Sequence, residues 1–349
     1  MNTRTAGCLF LLTLLSGCLN PAGPQTAVPG GAPRKVSLQL NWYPEVEHGG
    51  FFAAREHGYF AEEGLEVEII PGQRGVDPLQ QISSGRAQFG ITGADKLLRA
   101  RAAGFPVKAV FAAMQDCPFC LIVKPQTPPL TFETLSDLTI AAGTEIPYMT
   151  YLKHRYQLDQ KGIQFVPYNG SVAPFMASEK FAQQGYSFSE PLHIRELGGA
   201  CDVLLVSSTG YNPYCSCLVV GDDLLQSDPD LVVRFTRAAR RGWEQYVRDP
   251  AQANAAIHQL NSEQSLETLN AGAREIAKLV QPAPEAEIGT MLPARFQLLQ
   301  QQMEESGSLQ PGSVDAATAF TTEILAAARQ PAPTPHTSTS SGDSPSLGY

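Results

Sequence analysis

Two kinds of segment recur along the chain: short apolar runs, and longer stretches in which apolar residues have helical spacing. Short apolar strands separated by helices are typical of a parallel sheet with crossover helices. The first part of the pattern predicts strands at 35–40, 65–70, 88–92 and 107–113, and helices at 49–59, 77–84 and 94–103.

The pattern then starts again and finally becomes helical. The second part predicts strands at 139–142, 164–167, 182–188, 203–207 and 218–220, with helices at 148–156 and 172–181. Further helices are predicted at 228–248, 251–259, 265–280, 295–305 and 314–327.

This restart favours an α/β protein with two lobes, the second inserted into the first. We expect lobe 1 to comprise 35–121 plus 218–329, and lobe 2 to comprise 122–217. Open α/β sheets bind ligands at the carboxyl ends of their strands, so a ligand cleft is expected between the lobes.

The two ends of the chain have a different composition. Residues 1–17 hold Arg4, a short apolar core and then Leu-Ser-Gly before Cys18, as in a bacterial lipoprotein signal whose cleavage leaves Cys18 lipidated. The alternative is an ordinary secretory signal with an incidental cysteine. Residues 18–34 are rich in Pro, Gly and Ala and predict a flexible tether. Residues 330–349 predict a disordered tail.

Charge and hydropathy exclude some functions. The formal net charge of −9, without a basic stripe, argues against nucleic-acid binding. No apolar run approaches the roughly 18 residues of a membrane-spanning helix. An exported chain is exposed to oxidising conditions, so its cysteines are candidates for disulfides.

Four segments carry a resemblance to a known family. They are "LNWYPEVEHGGFFAAREHGYFAEEGLEVEIIPG", "QISSGRAQFGITGADKLLRARAAGFPVKAVFA", "FSEPLHIRELGG" and "GYNPYCSCLVV". Together they resemble the solute-binding proteins of ABC importers, in particular the receptors for thiamine pyrimidine precursors, within a superfamily that includes sulfonate and nitrate receptors. The resemblance spans about residues 35–282.

The resemblance implies a periplasmic-binding-protein fold of type II. It also implies a monomer that closes on a small molecule and delivers it to a permease and its ATPase, with no cofactor and no metal. A lipid anchor on Cys18 agrees with this role, because it would hold the receptor near its transporter at the periplasmic side of a bacterial membrane.

In this fold the loop after the first strand faces the cleft. Asn41 offers a donor and an acceptor to a heteroaromatic ring edge. Trp42 offers a flat apolar wall and an N–H group. His48 can hydrogen-bond a ligand or take up a proton near neutral pH. Alternatively, Trp42 is a core or rim aromatic residue and His48 a helix cap.

The turn Thr92-Gly93-Ala94-Asp95 ends a predicted strand and opens a helix. Backbone N–H groups at such a helix start can bind a polar or anionic ligand group. Thr92, Gly93 and Asp95 are therefore candidate binding residues, with the alternative that Asp95 is only an N-cap.

The resemblance supplies three more candidates. Phe188 and Glu190 match the superfamily's x-x-E-P turn, in which an aromatic residue and the glutamate read the pyrimidine ring. Glu190 could instead pair with Arg195. Tyr211 is a candidate for ring stacking.

The cysteines Cys117, Cys120, Cys215 and Cys217 lie at the crossovers between lobes in the family's layout. We expect a disulfide across the two crossovers, with buried free thiols or a metal or redox site as alternatives. Cys201 adds a fifth cysteine after Cys18, so at least one lacks an intrachain partner.

Other functions stay open at this point. A synthase of the same fold makes the thiamine pyrimidine from its own histidine and pyridoxal phosphate, but alignment with its motif places Thr92 at the Schiff-base lysine and Lys96 at the histidine. Without that lysine the cofactor has no anchor. A small anion such as sulfonate or nitrate, a riboflavin-like ring, and a sensor without transport are the remaining alternatives.

Overall fold

The computed structural model describes residues 32–143 and 146–331. The proposed lipidation residue Cys18, the tether up to residue 31 and the tail from residue 332 lie outside the described residues. In chain order the strands are β1 (Arg34–Gln39), β2 (Leu65–Ile70), β3 (Phe89–Thr92), β4 (Val107–Ala112), β5 (Phe119–Val123), β6 (Thr139–Ala142), β7 (Gln164–Pro167), β8 (Phe181–Tyr186), β9 (Asp202–Leu205) and β10 (Cys217–Gly221).

Helices cover the sheets and fill the last third of the chain. In chain order they are α1 (Gly49–Glu56), α2 (Tyr59–Glu62), α3 (Pro78–Ser83), α4 (Ala94–Ala102), α5 (Pro147–Tyr156), α6 (Ala173–Ala177), α7 (Glu190–Glu196), α8 (Asp222–Ser227), α9 (Pro229–Arg248), α10 (Ala251–Leu260), α11 (Leu266–Val280), α12 (Pro293–Glu305) and α13 (Glu323–Ala328). No helix in the described part of the chain is long and apolar enough to cross a membrane.

The strands form two five-stranded mixed sheets, in the orders β2-β1-β3-β10-β4 and β7-β6-β8-β5-β9. We call each sheet, with the helices on it, a lobe. In the first lobe β1 runs parallel to β2 and β3, while β10 is antiparallel to its neighbours. In the second lobe β6 runs parallel to β7 and β8, while β5 is antiparallel to β8 and β9. The α/β class is as predicted.

Three local predictions need correction. The strand β5 was not predicted, and because it pairs with β8 and β9, residues 119–121 belong with the second sheet rather than the first lobe. The helix α7 was also missed. The helix predicted over 314–327 is broken, since the backbone around Phe320 pairs with Ala109 of β4, leaving only a 3-10 turn at Ala316–Thr318 and the short α13.

The start of α1 is fixed by close packing on α9. Gly49 faces the ring of Tyr246 and Gly50 faces that of Trp243, and a Cβ at either glycine would overlap these buried rings. The missing side chains let the two helices approach, and this anchors the loop between β1 and α1 over a rigid core.

Two segments cross between the lobes, and they are tied to each other. A disulfide joins Cys117 on the first crossing to Cys215 on the second. Arg295 of α12 donates to the Asn212 side-chain oxygen at 2.9 Å, and to the backbone carbonyl of Gln115. Asn212 in turn accepts from the Cys117 backbone N–H at 2.9 Å. The crossings therefore form one connected unit between the lobes.

Candidate functional site

Segments that follow β1 and β2 in the first lobe contact segments that follow β7 and β8 in the second, through the pairs Glu45 with Ser189 and Arg74 with Tyr168. The loop after β1 starts the site with a chain of hydrogen bonds. The His48 Nδ1 accepts from the Glu45 backbone N–H at 3.3 Å, so Nε2 carries the proton of the neutral ring and donates to the Asn41 side-chain oxygen at 2.8 Å. Asn41 then donates to a Glu47 carboxylate oxygen at 2.5 Å.

This chain gives His48 and Asn41 different roles. His48 is fully buried and both of its ring nitrogens are engaged, so it orients Asn41 and does not itself face a ligand. Asn41 is half-buried and keeps one N–H and one lone pair beyond these bonds. Trp42, next to it, is partly exposed and meets the Tyr43 ring edge-on at 5.4 Å, which places it at the rim.

Glu45 and Glu47 are both buried in the same loop, with 5% and 1% of their surface exposed. Glu45 accepts from Ser189 Oγ of the second lobe at 3.3 Å and from Gln264 Nε2 at 3.4 Å. Burial raises the pKa of Glu45 well above its usual value, and the nearby carboxylates Glu47 and Glu190 raise it further. The buried environment of the loop therefore disfavours the charged form of Glu45.

In the second lobe, Glu190 is held at the start of α7. Its two oxygens accept from the Tyr168 hydroxyl at 3.0 Å and from the Tyr186 backbone N–H at 2.7 Å. Burial raises the pKa of this carboxyl, against the opposing effect of these hydrogen bonds. The alternative pairing of Glu190 with Arg195 is replaced by these contacts.

Aromatic rings line the same region. Phe119 stacks on Tyr148 with ring centroids 4.6 Å apart, and Tyr186 lies 5.6 Å from Phe119 and 5.3 Å from Phe188. Burial raises the pKa of Tyr148, and the Cys120 thiol, Glu190 and Asp95 add to that effect. Phe188 is 1% exposed and packs into the first lobe's core although it follows β8 of the second.

The turn after β3 does not leave an open anion site. Thr92 is buried at the end of β3, and Gly93 precedes the first residue of α4. The Ala94 N–H donates to the Tyr214 carbonyl at 2.8 Å, and the Lys96 N–H donates to the Asp95 carboxylate at 2.8 Å. The protein's own groups thus occupy these two donors, so the prediction that this turn binds an anionic ligand group gains no support from them.

Asp95 and Tyr211 each carry a buried polar atom without a hydrogen-bond partner. Asp95 is 1% exposed and Tyr211 is fully buried, yet Asp95 Oδ2 and the Tyr211 hydroxyl have no hydrogen-bond partner. Burial raises the pKa of Tyr211, followed by the effect of Asp95, which shows that the two lie near each other. Tyr211 also packs against Tyr151, with ring centroids 4.8 Å apart.

The lobes are in contact around this cluster. Besides the bond between Ser189 and Glu45, Arg74 of the first lobe donates to the Tyr168 carbonyl at 2.9 Å. Glu196 of α7 accepts from Ser265 and Thr268 at the start of α11, at 3.0 and 2.8 Å. The two lobes are therefore in direct contact around this cluster.

The cysteines at the crossings do not form one cluster. Cys117 and Cys215 are bonded, whereas Cys120 and Cys217 are buried free thiols and Cys201 is a partly buried one. Burial raises the pKa of the Cys217 thiol to about 12 and that of Cys120 well above its usual value. Such thiols are poor nucleophiles near neutral pH. Within 32–143 and 146–331, no group of three or more His, Cys, Asp or Glu side chains is placed to hold a metal ion.

Sequence reasoning missed several residues of this site. Glu45, Glu47, Tyr148, Tyr168 and Tyr186 are not among the residues predicted to bind a ligand. The signal available for Glu45 and Glu47 was their place in a short loop between a buried strand and a buried helix, since buried carboxylates are rare without a function or a partner.

A family model described as "NMT1/THI5 like" matches residues 45–253. The chain belongs to the NMT1/THI5-like family. The matched range contains both carboxylates of the first loop, Asp95, Glu190 and the two crossings.

Curated relatives include receptors and enzymes. The riboflavin-binding protein RibY of Chloroflexus aurantiacus is 27% identical over 273 residues, covering 72% of this chain and 76% of the relative. The formylaminopyrimidine-binding protein of Halalkalibacterium halodurans is 34% identical over 108 residues, covering 31% and 32%. The 4-amino-5-hydroxymethyl-2-methylpyrimidine phosphate synthase THI11 of Saccharomyces cerevisiae is 26% identical over 242 residues, covering 63% and 69%.

Solved structures agree on the fold. The aliphatic sulphonate binding protein SsuA from Escherichia coli superposes with a TM-score of 0.63 at 15% identity, covering 83% of this chain and 92% of that one. At this identity the likeness establishes the periplasmic-binding-protein fold. It leaves the ligand to the chemistry of the site.

Proposed function

We propose that this protein is the solute-binding component of an ABC importer and that it binds an aminopyrimidine related to thiamine precursors between its lobes. The observation that carries the proposal is Glu190. A carboxylate accepting from Tyr168 and Tyr186 is held in one orientation, where it can accept a further hydrogen bond from an exocyclic amine. The formylaminopyrimidine-binding relative supports this class of ligand.

The remaining contacts follow from the same geometry. Asn41, oriented by His48, and Asp95 offer hydrogen bonds to a ring edge, and Tyr148, Tyr186 and the rim residue Trp42 offer ring faces. Tyr211 contributes its unpartnered hydroxyl at the buried end and does not stack on the ligand.

A riboflavin-like ring is the second candidate, supported by the match to RibY over 72% of this chain. A sulfonate or nitrate ligand is disfavoured, because the donors at the start of α4 are occupied and the neighbouring side chains are carboxylates. The synthase chemistry is disfavoured as well, since Thr92 stands at the lysine position and Lys96 is exposed on α4.

The cellular arrangement is part of the proposal. A lipidated Cys18 and a tether would hold a monomeric receptor, divided near residues 118 and 217 into its two lobes, on the periplasmic side of a bacterial membrane beside a permease and ATPase. A sensor with the same cleft would bind the same ligand without a permease. Labelled ligand uptake into cells with and without the neighbouring permease gene separates these two roles.

A thermal-shift panel tests the binding function. The protein from Asn20 onward is heated with aminopyrimidines, riboflavin, thiamine and aliphatic sulfonates. A ligand present at about 100 times its Kd adds about 2.7 kcal/mol to the folded state. We expect a shift with an aminopyrimidine. A shift only with a sulfonate would refute the pyrimidine assignment, and a shift only with riboflavin would select the second candidate.

A further inference from the structure

We propose that the cleft binds its heterocycle as an organic cation, so that a protonated or permanently charged ring is preferred over its neutral isostere. The inference rests on the proposed function and concerns the charge of the ligand in the same site. It follows from the charges, the unpartnered atoms and the rings around Glu190.

The charge around the cleft is negative on both sides. Glu45, Glu47 and Asp95 come from the first lobe and Glu190 from the second, and Glu45 is affected by both Glu47 and Glu190. Glu47 and Glu190 raise the pKa of Glu45, and Glu47 raises that of Glu190, because like charges in a place of low polarity repel strongly. A cation bound among them would relieve this repulsion.

The basic groups on the packed elements are engaged at the edges of the cluster. Arg74 donates to the Tyr168 carbonyl at an exposed position, and His48 lies inside the loop, with Nε2 bonded to Asn41 and 3.3 Å from a Glu47 carboxylate oxygen. Lys96 and Arg99 of α4 act on Asp95, where their effect is smaller than that of burial. Among the described residues, the strongest charged neighbours of Glu45 are therefore two further carboxylates.

Two buried atoms point to a ligand independently of this charge. Asp95 Oδ2 accepts no hydrogen bond although Asp95 is 1% exposed, and the Tyr211 hydroxyl is also unpartnered. Buried polar atoms are almost always hydrogen-bonded in native proteins, so a pair of them beside a cleft indicates groups that a ligand satisfies. Gly93 leaves room for this carboxylate, since a Cβ there would lie 2.6 Å from Asp95 Oδ1.

The aromatic rings complete a site suited to a flat cation. The Tyr186 backbone N–H donates to Glu190 at 2.7 Å, and Glu190 and Asp95 both act to raise the pKa of Tyr148. Ring faces of Tyr and Phe attract a cation more strongly when the site is desolvated. An aminopyrimidine protonated on a ring nitrogen is flat, positively charged and rich in N–H donors.

The experiment uses three ligands of one shape. They are 4-amino-5-hydroxymethyl-2-methylpyrimidine with 15N in its ring, the analogue in which oxygen replaces the amino group, and the ring-N-methylated cation. The first is studied by 15N NMR when bound, at a slightly alkaline pH at which the free ligand is neutral. Protonation moves a ring nitrogen signal far upfield, so the spectrum reports the bound charge directly.

We expect the bound aminopyrimidine to give the upfield signal of a protonated ring, and the oxygen analogue to bind about tenfold or more weakly. Glu190→Gln should weaken binding of the cation by a similar factor, while the control Glu179→Gln, on an exposed side chain, should not change it. Normal binding with the signal of a neutral ring would overturn the inference and leave the receptor function intact. Failure of all three ligands to bind would overturn both.

Discussion

Glu63 and Glu45 are both buried glutamates of the first lobe, with 7% and 5% of their surface exposed, but their surroundings have opposite charge. Glu63 pairs with Arg237 of α9 at 2.7 Å, and Arg237 also donates to the Gln330 carbonyl at 3.1 Å. Glu45 has only the neutral donors Ser189 and Gln264, beside two further glutamates.

The difference indicates what each carboxylate is for. A buried charge is costly unless it is paired, and the protein supplies the partner for Glu63 from its own helix. Around Glu45 and Glu190 it supplies neutral hydrogen-bond donors, and beside Glu47 it places the His48 ring, with Nε2 at 3.3 Å from the carboxylate. A cationic ligand enclosed between the lobes would supply a positive charge beside these carboxylates. This would explain why Glu45 and Glu47 occur in the turn between β1 and α1.

The largest effect is expected from breaking the paired site. Arg237→Ala leaves Glu63 buried without its cation and should lower the free energy of unfolding by about 3–5 kcal/mol. Urea unfolding measures this loss. The control Lys35→Ala, at an exposed pair with Glu66 at 3.7 Å, should change stability by less than about 0.5 kcal/mol. A loss below about 1 kcal/mol for Arg237→Ala would mean that the two kinds of buried carboxylate do not differ.

An intermediate effect of opposite sign is expected in the cleft. The pKa of Glu45 is raised in the folded state. The stability that this residue contributes is therefore fully present below the ordinary pKa of a glutamate, and it is lost as pH rises through the pKa of the folded state. Glu45→Gln removes that loss. The free energy of unfolding of the unliganded variant should therefore increase relative to that of the wild type as pH rises. The increase should be about 1.4 kcal/mol for each unit by which the pKa is raised.

Unfolding in urea across a range of pH values checks this gain. Glu66→Gln, on an exposed strand position, is the matched control, and its difference from the wild type should stay within about 0.5 kcal/mol throughout. If Glu45→Gln lost stability relative to the wild type as pH rose, Glu45 would be a favourable structural carboxylate like Glu63.

The smallest effect is expected from displacing the Glu190 carboxylate. In Gly185→Ala the new Cβ would lie 2.9 Å from Glu190 Oε2 and 2.6 Å from Ile122 Cδ1. We expect overpacking to lower the free energy of unfolding by about 1–2 kcal/mol and to weaken ligand binding several-fold. Adding Ile122→Val removes the apolar clash and should restore stability without restoring affinity. Recovery of both together would show that Glu190 does not set affinity.

The sequence predicted the bounds of three short strands correctly. β2, β6 and β7 have the predicted bounds, because their pairing follows from local composition and short connections. The strand β5 escaped notice, since "FCLIV" follows a Cys-Pro turn at a crossing and its partners β8 and β9 are distant in sequence. Its position depends on topology that a local pattern does not contain.

The site was predictable only in part, for the same reason. Glu190 and Asn41 lie in segments that resemble family motifs, and the structure places them on facing edges of the two lobes. Tyr168 and Tyr186 reach Glu190 because β7 and β8 flank β6 in the sheet, an order that no motif carries. Asp95 was selected for its helix start, yet its carboxylate fills the place where an anion was expected.

Isothermal titration of 4-amino-5-hydroxymethyl-2-methylpyrimidine into the wild type, Glu190→Gln and Glu179→Gln tests the central claim most directly. We predict that the wild type and Glu179→Gln bind the aminopyrimidine with the same affinity. Glu190→Gln should bind it at least about tenfold more weakly, a loss of about 1.4 kcal/mol of binding free energy. Equal affinity of all three proteins would contradict it, because the ligand would then be bound without the carboxylate that the second lobe holds between Tyr168 and Tyr186.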